Sequence, residues 1–141
     1  MKLFVDTWGW LAVSDEDEAL HARAAAFYRE RVQVAGQVIT SDYVLDETLT
    51  AVFLRHPFGQ AKQFSQGLLE LCGRSAIRIE PVDGRRFQQA VALRYRLADK
   101  PQISFTDLTS MVIMQELRIA DVLTADRHFQ QVGLGFRLLP D

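Results

Sequence analysis

Short apolar runs alternate with longer amphipathic stretches along this chain, and that alternation limits the folds open to it. Lys2 to Val5 and Val38-Ile39-Thr40 suit buried strands, and Val122-Leu123-Thr124 suits a central one. Ile77, Ile79 and Val82 alternate around polar residues, as in an edge strand, and Phe136 to Leu139 reads as a last strand. Between them lie helical patterns. Thr7 onward, with Trp8, Trp10, Leu11 and Val13, leaves the first strand as a helical turn. Ser14, followed by Asp15, Glu16, Asp17 and Glu18, reads as the cap of a long helix with acids in its first turn.

Ser41 or Asp42 caps a helix carrying Val44, Leu45, Leu49, Val52 and Phe53, which Pro57 stops. Phe58 to Cys72 is amphipathic, and Gly73 ends it. Asp83-Gly84 is a turn, Arg86 to Ala98 a helix, and 99–102 a loop. Ser104 or Thr106 then opens a helix through Leu117, and Asp126 to Val132 is a short one. Strands alternating with helices favour a parallel sheet covered on both faces.

Size and composition narrow the possibilities further. At 141 residues, 48% hydrophobic and 24% charged, residues 1–141 read as one globular domain with a single core. A formal charge of −2 argues against a strongly basic nucleic-acid clamp, yet clustered acids would mask a locally basic rim. The single cysteine, Cys72, excludes an intrachain disulfide and reads as a small buried hydrophobe. The first apolar stretch is interrupted by Asp6, unlike a signal peptide, and no run reaches membrane-spanning length. A cytoplasmic protein without a membrane anchor is the expectation.

Four acids stand where a strand ends or a helix begins: Asp6, Glu47, Asp107 and Asp126. Each has an ordinary explanation. Asp6 suits a turn or cap, Asp107 a helix dipole, Asp126 a helix cap, and Glu47 a solvated helix face. Glu47 borders the apolar face, its neighbour Asp46 borders it less clearly, and periodicity does not decide between them. Their flanks, however, all predict the same end of one sheet, where the carboxyl ends of parallel strands share a crevice.

Carboxylates gathered there repel unless a cation lies between them. Mg²⁺ and Mn²⁺ favour oxygen ligands, and such ions can stabilise the attacking and leaving oxygens of a phosphodiester. His21, His56 and His128 have no zinc-type spacing. Arg127 and His128 lie close enough in sequence to Asp126 to touch a phosphate.

The strings Phe4-Val5-Asp6-Thr7, Glu47 in its helix, Ser104-Phe105-Thr106-Asp107 and Val122 to Phe129 occur in one order over nearly the whole chain. In this the sequence resembles the PIN-domain family of metal-dependent ribonucleases, particularly the VapC-type toxins of bacterial toxin–antitoxin pairs. The resemblance implies a three-layer α/β/α sandwich around a central parallel sheet. It implies that Asp6, Glu47, Asp107 and Asp126 hold Mg²⁺ or Mn²⁺ for endoribonucleolytic hydrolysis, with Thr124 helping to order the site. It further implies an RNA substrate, products with a 5′-phosphate and a 3′-hydroxyl, a cognate antitoxin protein and a homodimer.

Few basic residues cluster here; Arg85, Arg86, Arg94, Arg96 and Lys100 are the candidates for steering RNA. Two rival readings keep the same residues. A phospho-acceptor receiver-type domain needs a lysine near its last strands, and Lys62 and Lys100 lie in the wrong context. A catalytically idle binding module would use Trp8, Trp10, Phe53, Phe58 and Phe64 as an interface, although helical spacing equally suits a core.

Overall fold

Each strand is built from residues that lose nothing by leaving water on both faces. In the computed structural model, which describes residues 2–33 and 37–141, β1 (Leu3–Val5), β2 (Val38–Ser41) and β4 (Asp121–Leu123) are buried throughout. With the edge strands β3 (Arg78–Glu80) and β5 (Arg137–Leu139) they form a sheet of order β3-β2-β1-β4-β5, parallel at every pairing. The middle strand is β1, and β4 lies between it and β5.

Seven helices among the described residues cover the sheet: α1 (Thr7–Ser14), α2 (His21–Val32), α3 (Asp42–Arg55), α4 (Phe58–Gly73), α5 (Gly84–Arg96), α6 (Phe105–Glu116) and α7 (His128–Gln131). The result is the expected three-layer α/β/α sandwich. Chain direction explains what the sheet order does. From β1 the chain moves outward to β2 and β3, then returns to lay β4 and β5 on the other side. The order reverses between β1 and β4, and that reversal opens a crevice at the carboxyl ends of those two strands.

Side-chain caps define several helix starts. Asp6, Ser41, Asp83 and Ser104 each accept a backbone N–H from the first turn of the helix that follows. Gly9 lets α1 come down against the sheet. A Cβ there would lie 2.5 Å from the Leu123 carbonyl oxygen and 2.8 Å from Val5 Cγ1. Beneath α1, Trp10 Nε1 donates to Thr40 Oγ1 at 3.1 Å, and that hydroxyl donates to the Val5 carbonyl at 2.9 Å. This buried chain locks α1, β1 and β2 together just under the crevice.

Several expectations are corrected. The acidic run does not open a helix: the Asp15 N–H closes α1 on the Leu11 carbonyl, the Asp15 carboxylate accepts from Asp17 N, and α2 begins only at His21. Along β3 the alternation is inverted, with Ile79 exposed and Glu80 buried. Arg86, itself buried, accounts for this by drawing Glu80 inward to 3.3 Å while bonding Glu116 at 2.5 Å. A buried ion needs such a partner. Cys72 is half-buried against the core edge. The short helix begins at His128, because Asp126 sits ahead of it and accepts the His128 N–H.

Candidate active site

Asp6 follows β1 directly, and Thr124 follows β4; since Val5 is in register with Leu123, the two lie side by side across the switch point. Asp6 is 3% exposed, and its Oδ1 accepts the Gly9 N–H at 2.8 Å. The Thr124 hydroxyl reaches both acids that flank it: it hydrogen-bonds the Asp6 carboxyl and accepts the Asp126 N–H at 3.0 Å. Asp126 is half-buried, and its Oδ1 accepts the His128 N–H at 2.9 Å.

The remaining two acids arrive on helices. Asp107 is buried in the first turn of α6, where its N–H donates to the Ser104 cap. Glu47 sits on α3, half-buried and facing the crevice, whereas Asp46 is exposed on the outer side. The ambiguity between those neighbours is thereby resolved by packing. All four acids line one crevice of about 290 Å³, together with Thr7, Trp8, Leu11, Glu18, Arg55, Gln102, Ser104 and His128.

Electrostatics register the crowding. Burial first, then the negative charges of Asp126 and Glu47, push Asp6 up to about 7 against the stabilising pull of Thr124 and Gly9. Burial, then Asp6 and Asp126, push Asp107 up to about 8. Side chains from four separate segments therefore sense one another. Asp107, Asp126 and His128 form the tightest group, with ligand-capable atoms all within 4.8 Å.

A divalent cation fits this donor set. Carboxylate oxygens that resist ionisation for want of a counter-charge are what a hard cation would relieve. Two nearby polar atoms, Thr7 Oγ1 and His128 Nδ1, are buried without a hydrogen-bond partner. His128 Nδ1 lies 3.1 Å from Asp126 Oδ1, close enough for an ion pair but off the angle of a hydrogen bond.

Not every candidate comes to the crevice. Among the five basic residues considered for RNA steering, Arg85 and Arg86 are tied to Glu116, Lys100 to Asp99, and Arg94 to the carbonyls of Leu97, Lys100 and Ile103. Arg96 lines a separate cavity between α5 and α6. The cationic side chain that does line the acidic crevice is Arg55, at the end of α3, which sequence periodicity gives no reason to prefer. Neither Lys62 nor Lys100 lines it, which removes the residue a phospho-acceptor site would need.

Among the aromatic residues considered as an interface, Trp10 is buried and Trp8 and Phe64 pack on the core. Phe53 and Phe58 are exposed, their rings 5.7 Å apart beside Leu54, which is 82% exposed. A wider cavity of about 390 Å³, lined by Ser14 to Asp17, Val52, His56 and Phe64, lies away from the four acids.

Fold and crevice together define a class: parallel α/β proteins whose switch point gathers carboxylates from distant parts of the chain. The PIN domain family model matches residues 3–134, and the chain belongs to that family. It is 29% identical over 131 residues to the 23S rRNA-specific endonuclease VapC20 of Mycobacterium tuberculosis, covering 93% of this chain and 94% of that protein. The crystal structure of that VapC20, described as a Sarcin-Ricin loop cleaving toxin, superposes with a TM-score of 0.80 at 28% identity, covering 94% of this chain and 95% of the other. The fold is also shared with VapBC2 from Rickettsia felis bound to a promoter DNA fragment (TM-score 0.72, 15% identity, 98% and 97% covered). DNA-bound VapBC from Salmonella typhimurium shares it too (TM-score 0.66, 14% identity, 98% and 96% covered).

Proposed function

We propose that this chain is a divalent-cation-dependent endoribonuclease, the toxin of a toxin–antitoxin pair, with Asp6, Glu47, Asp107 and Asp126 as its working carboxylates. One observation carries the reading: in a PIN-domain chain, these acids meet in a single crevice from four separate stretches of sequence. Likeness to a 23S rRNA-specific endonuclease over most of both chains supports structured RNA as the substrate class.

When bound, a divalent cation supplies the positive charge that lets the carboxylates ionise together and polarises a phosphodiester oxygen. The chain's own residues do the rest. Gly9 N–H and the Thr124 hydroxyl fix the Asp6 carboxyl, and the His128 N–H fixes Asp126. Asp6, Asp107 and Asp126 serve as ligands. Glu47, which reaches the crevice from α3, orients the attacking water and takes its proton. Water adds to phosphorus as the P–O3′ bond breaks, and the leaving 3′-oxygen takes a proton from solvent, giving a 5′-phosphate and a 3′-hydroxyl. Arg55 on the crevice wall is placed to meet a neighbouring phosphate.

A cognate antitoxin is the partner this function requires. The exposed Phe53, Leu54 and Phe58, beside the crevice-lining Arg55, form an apolar tip that suits such a partner. A homodimer and a cytoplasmic setting, where structured RNA is met, belong to the same reading. No helix among the described residues is long and apolar enough to cross a membrane.

The test is cleavage of structured RNA by the purified protein. Activity should vanish in EDTA and return with excess Mg²⁺ or Mn²⁺. Asp6→Asn should lose at least about 100-fold in rate, beyond what loss of a merely supporting group costs. Wild-type rates in EDTA, or in the Asp6→Asn protein with its fold intact, would overturn the assignment.

A further inference from the structure

We propose that His128 supplies a nitrogen ligand to the cation held at Asp107 and Asp126, so that this centre selects Mn²⁺ over Mg²⁺. The inference rests on the cation-dependent reading above and sharpens it, since an all-carboxylate site would take either ion.

Three observations on one side chain support it. His128 stands with Asp107 and Asp126 in a group whose donor atoms all lie within 4.8 Å of one another. Its Nδ1 is buried yet lacks a hydrogen-bond partner, which leaves a lone pair or an N–H unused in a site crowded with anions. Nδ1 also lies 3.1 Å from Asp126 Oδ1. Two adjacent ligands of an octahedral ion bound at about 2.1 Å are about 3 Å apart, so the pair is already spaced to share one ion.

The local backbone holds that spacing. The His128 N–H donates to Asp126 Oδ1 at 2.9 Å, so the ring and the carboxylate belong to one tight turn at the start of α7. Phe129, fully buried beside them, anchors the turn to the core and packs edge-on against Phe136. The other two histidines are occupied elsewhere: His21 Nδ1 lies 2.7 Å from the Ala12 carbonyl, and His56 faces Asp15 at 3.9 Å.

Ligand chemistry then sets the preference. Mg²⁺ holds oxygen ligands and sheds its waters reluctantly. An imidazole nitrogen favours first-row transition ions, and Mn²⁺ is the one that also suits a site otherwise built of carboxylate oxygens. Coordination requires the neutral ring, with the lone pair of Nδ1 directed at the ion.

The experiment uses Mn²⁺ and Mg²⁺ as probes on the whole chain. Calorimetry should give at least about tenfold tighter binding of Mn²⁺ than Mg²⁺, and His128→Gln should narrow that gap by lowering Mn²⁺ affinity alone. Pulsed electron paramagnetic resonance of the Mn²⁺-loaded wild type should show directly coordinated ¹⁴N. That signal should change to the ¹⁵N pattern when only histidine is labelled, and it should disappear in His128→Gln. The labelling arm needs no substitution, so it stands even if the variant folds poorly. An oxygen-only Mn²⁺ spectrum, or a nitrogen signal that survives His128→Gln, overturns the inference. If RNA cleavage remains EDTA-sensitive in that case, the nuclease reading stands. Failure of both ions to bind overturns the two together.

Discussion

Two buried aspartates show how the same side chain serves opposite ends. Asp121, at the amino end of β4, accepts from Arg137 Nε and Nη2 at 2.9 and 3.0 Å and faces Arg31 at 3.5 Å. Asp107, at the other end of the sheet, faces other acids. The first is a paired structural charge; the second is penalised first by burial and then by repulsion from its acidic neighbours. Asp107→Asn should therefore melt several degrees higher than wild type at pH 8 in EDTA, while losing cleavage. About 1 kcal/mol corresponds to about 2–4 °C in a chain of this size. Circular dichroism melts alongside an RNA assay check both halves. Equal or lower melting would mean that the carboxylates do not repel as described. Sequence spacing singled out Asp107 and passed over Asp121, because only the former follows a helix-opening Ser-x-Thr string. For Glu47 against Asp46 it left the choice open, since periodicity sets Glu47 at the apolar face and Asp46 only less clearly there; which one turns inward depends on how α3 rolls against its neighbours.

Among the elements, α1 is the one on which the crevice depends most. Its first turn is capped by Asp6, its third residue carries the N–H that fixes Asp6, and that residue is the glycine pressed on β4. Gly9→Ala places a methyl within 2.5 Å of a backbone oxygen that cannot turn aside. The expected outcome is a loss of about 1–3 kcal/mol in stability, with weaker cleavage as α1 lifts from Asp6, measured by urea unfolding and the RNA assay. Unchanged values in both would remove the close packing from the account. Elements are also where sequence reading went astray. The run from Ser14 to Glu18 has the composition of a helix start, but Asp15 closes α1 instead, because helix ends depend on local hydrogen bonds that composition does not specify. In β3 a buried ion pair overrode the hydrophobic alternation. Arg85, Arg86 and Arg94 of α5 looked free in sequence and are bound in the fold, since their partners come largely from α6 and the loop before it.

For the whole molecule, the raised carboxyls tie stability to pH and to cations. Asp6 and Asp107 ionise near 3.8 when exposed and near 7 and 8 in the fold, so the native protein keeps protons that the unfolded chain would release. Stability from this source is complete below about pH 4 and is lost as pH rises through 7 and 8. In EDTA the melting temperature should fall between pH 5 and pH 9, and a saturating divalent cation should recover it at the alkaline end, because it binds only the folded crevice. A melting temperature that does not drop across that range would contradict the linkage.

What the sequence determined by itself was periodic or local: apolar triplets that must be strands, caps that must begin helices, and acids placed at their junctions. Those features depend on neighbours within a few residues, and they suffice for a covered parallel sheet with acids at its carboxyl ends; the three-layer sandwich and the choice of Glu47 came from the family resemblance. The tertiary structure alone decided the reversal of strand order between β1 and β4, the inward turn of Glu47, the capture of Arg86 by Glu80 and Glu116, and the meeting of His128 with two aspartates. Each of these joins residues far apart in the chain or depends on how a whole helix is seated, and only packing brings such groups within ångströms of each other.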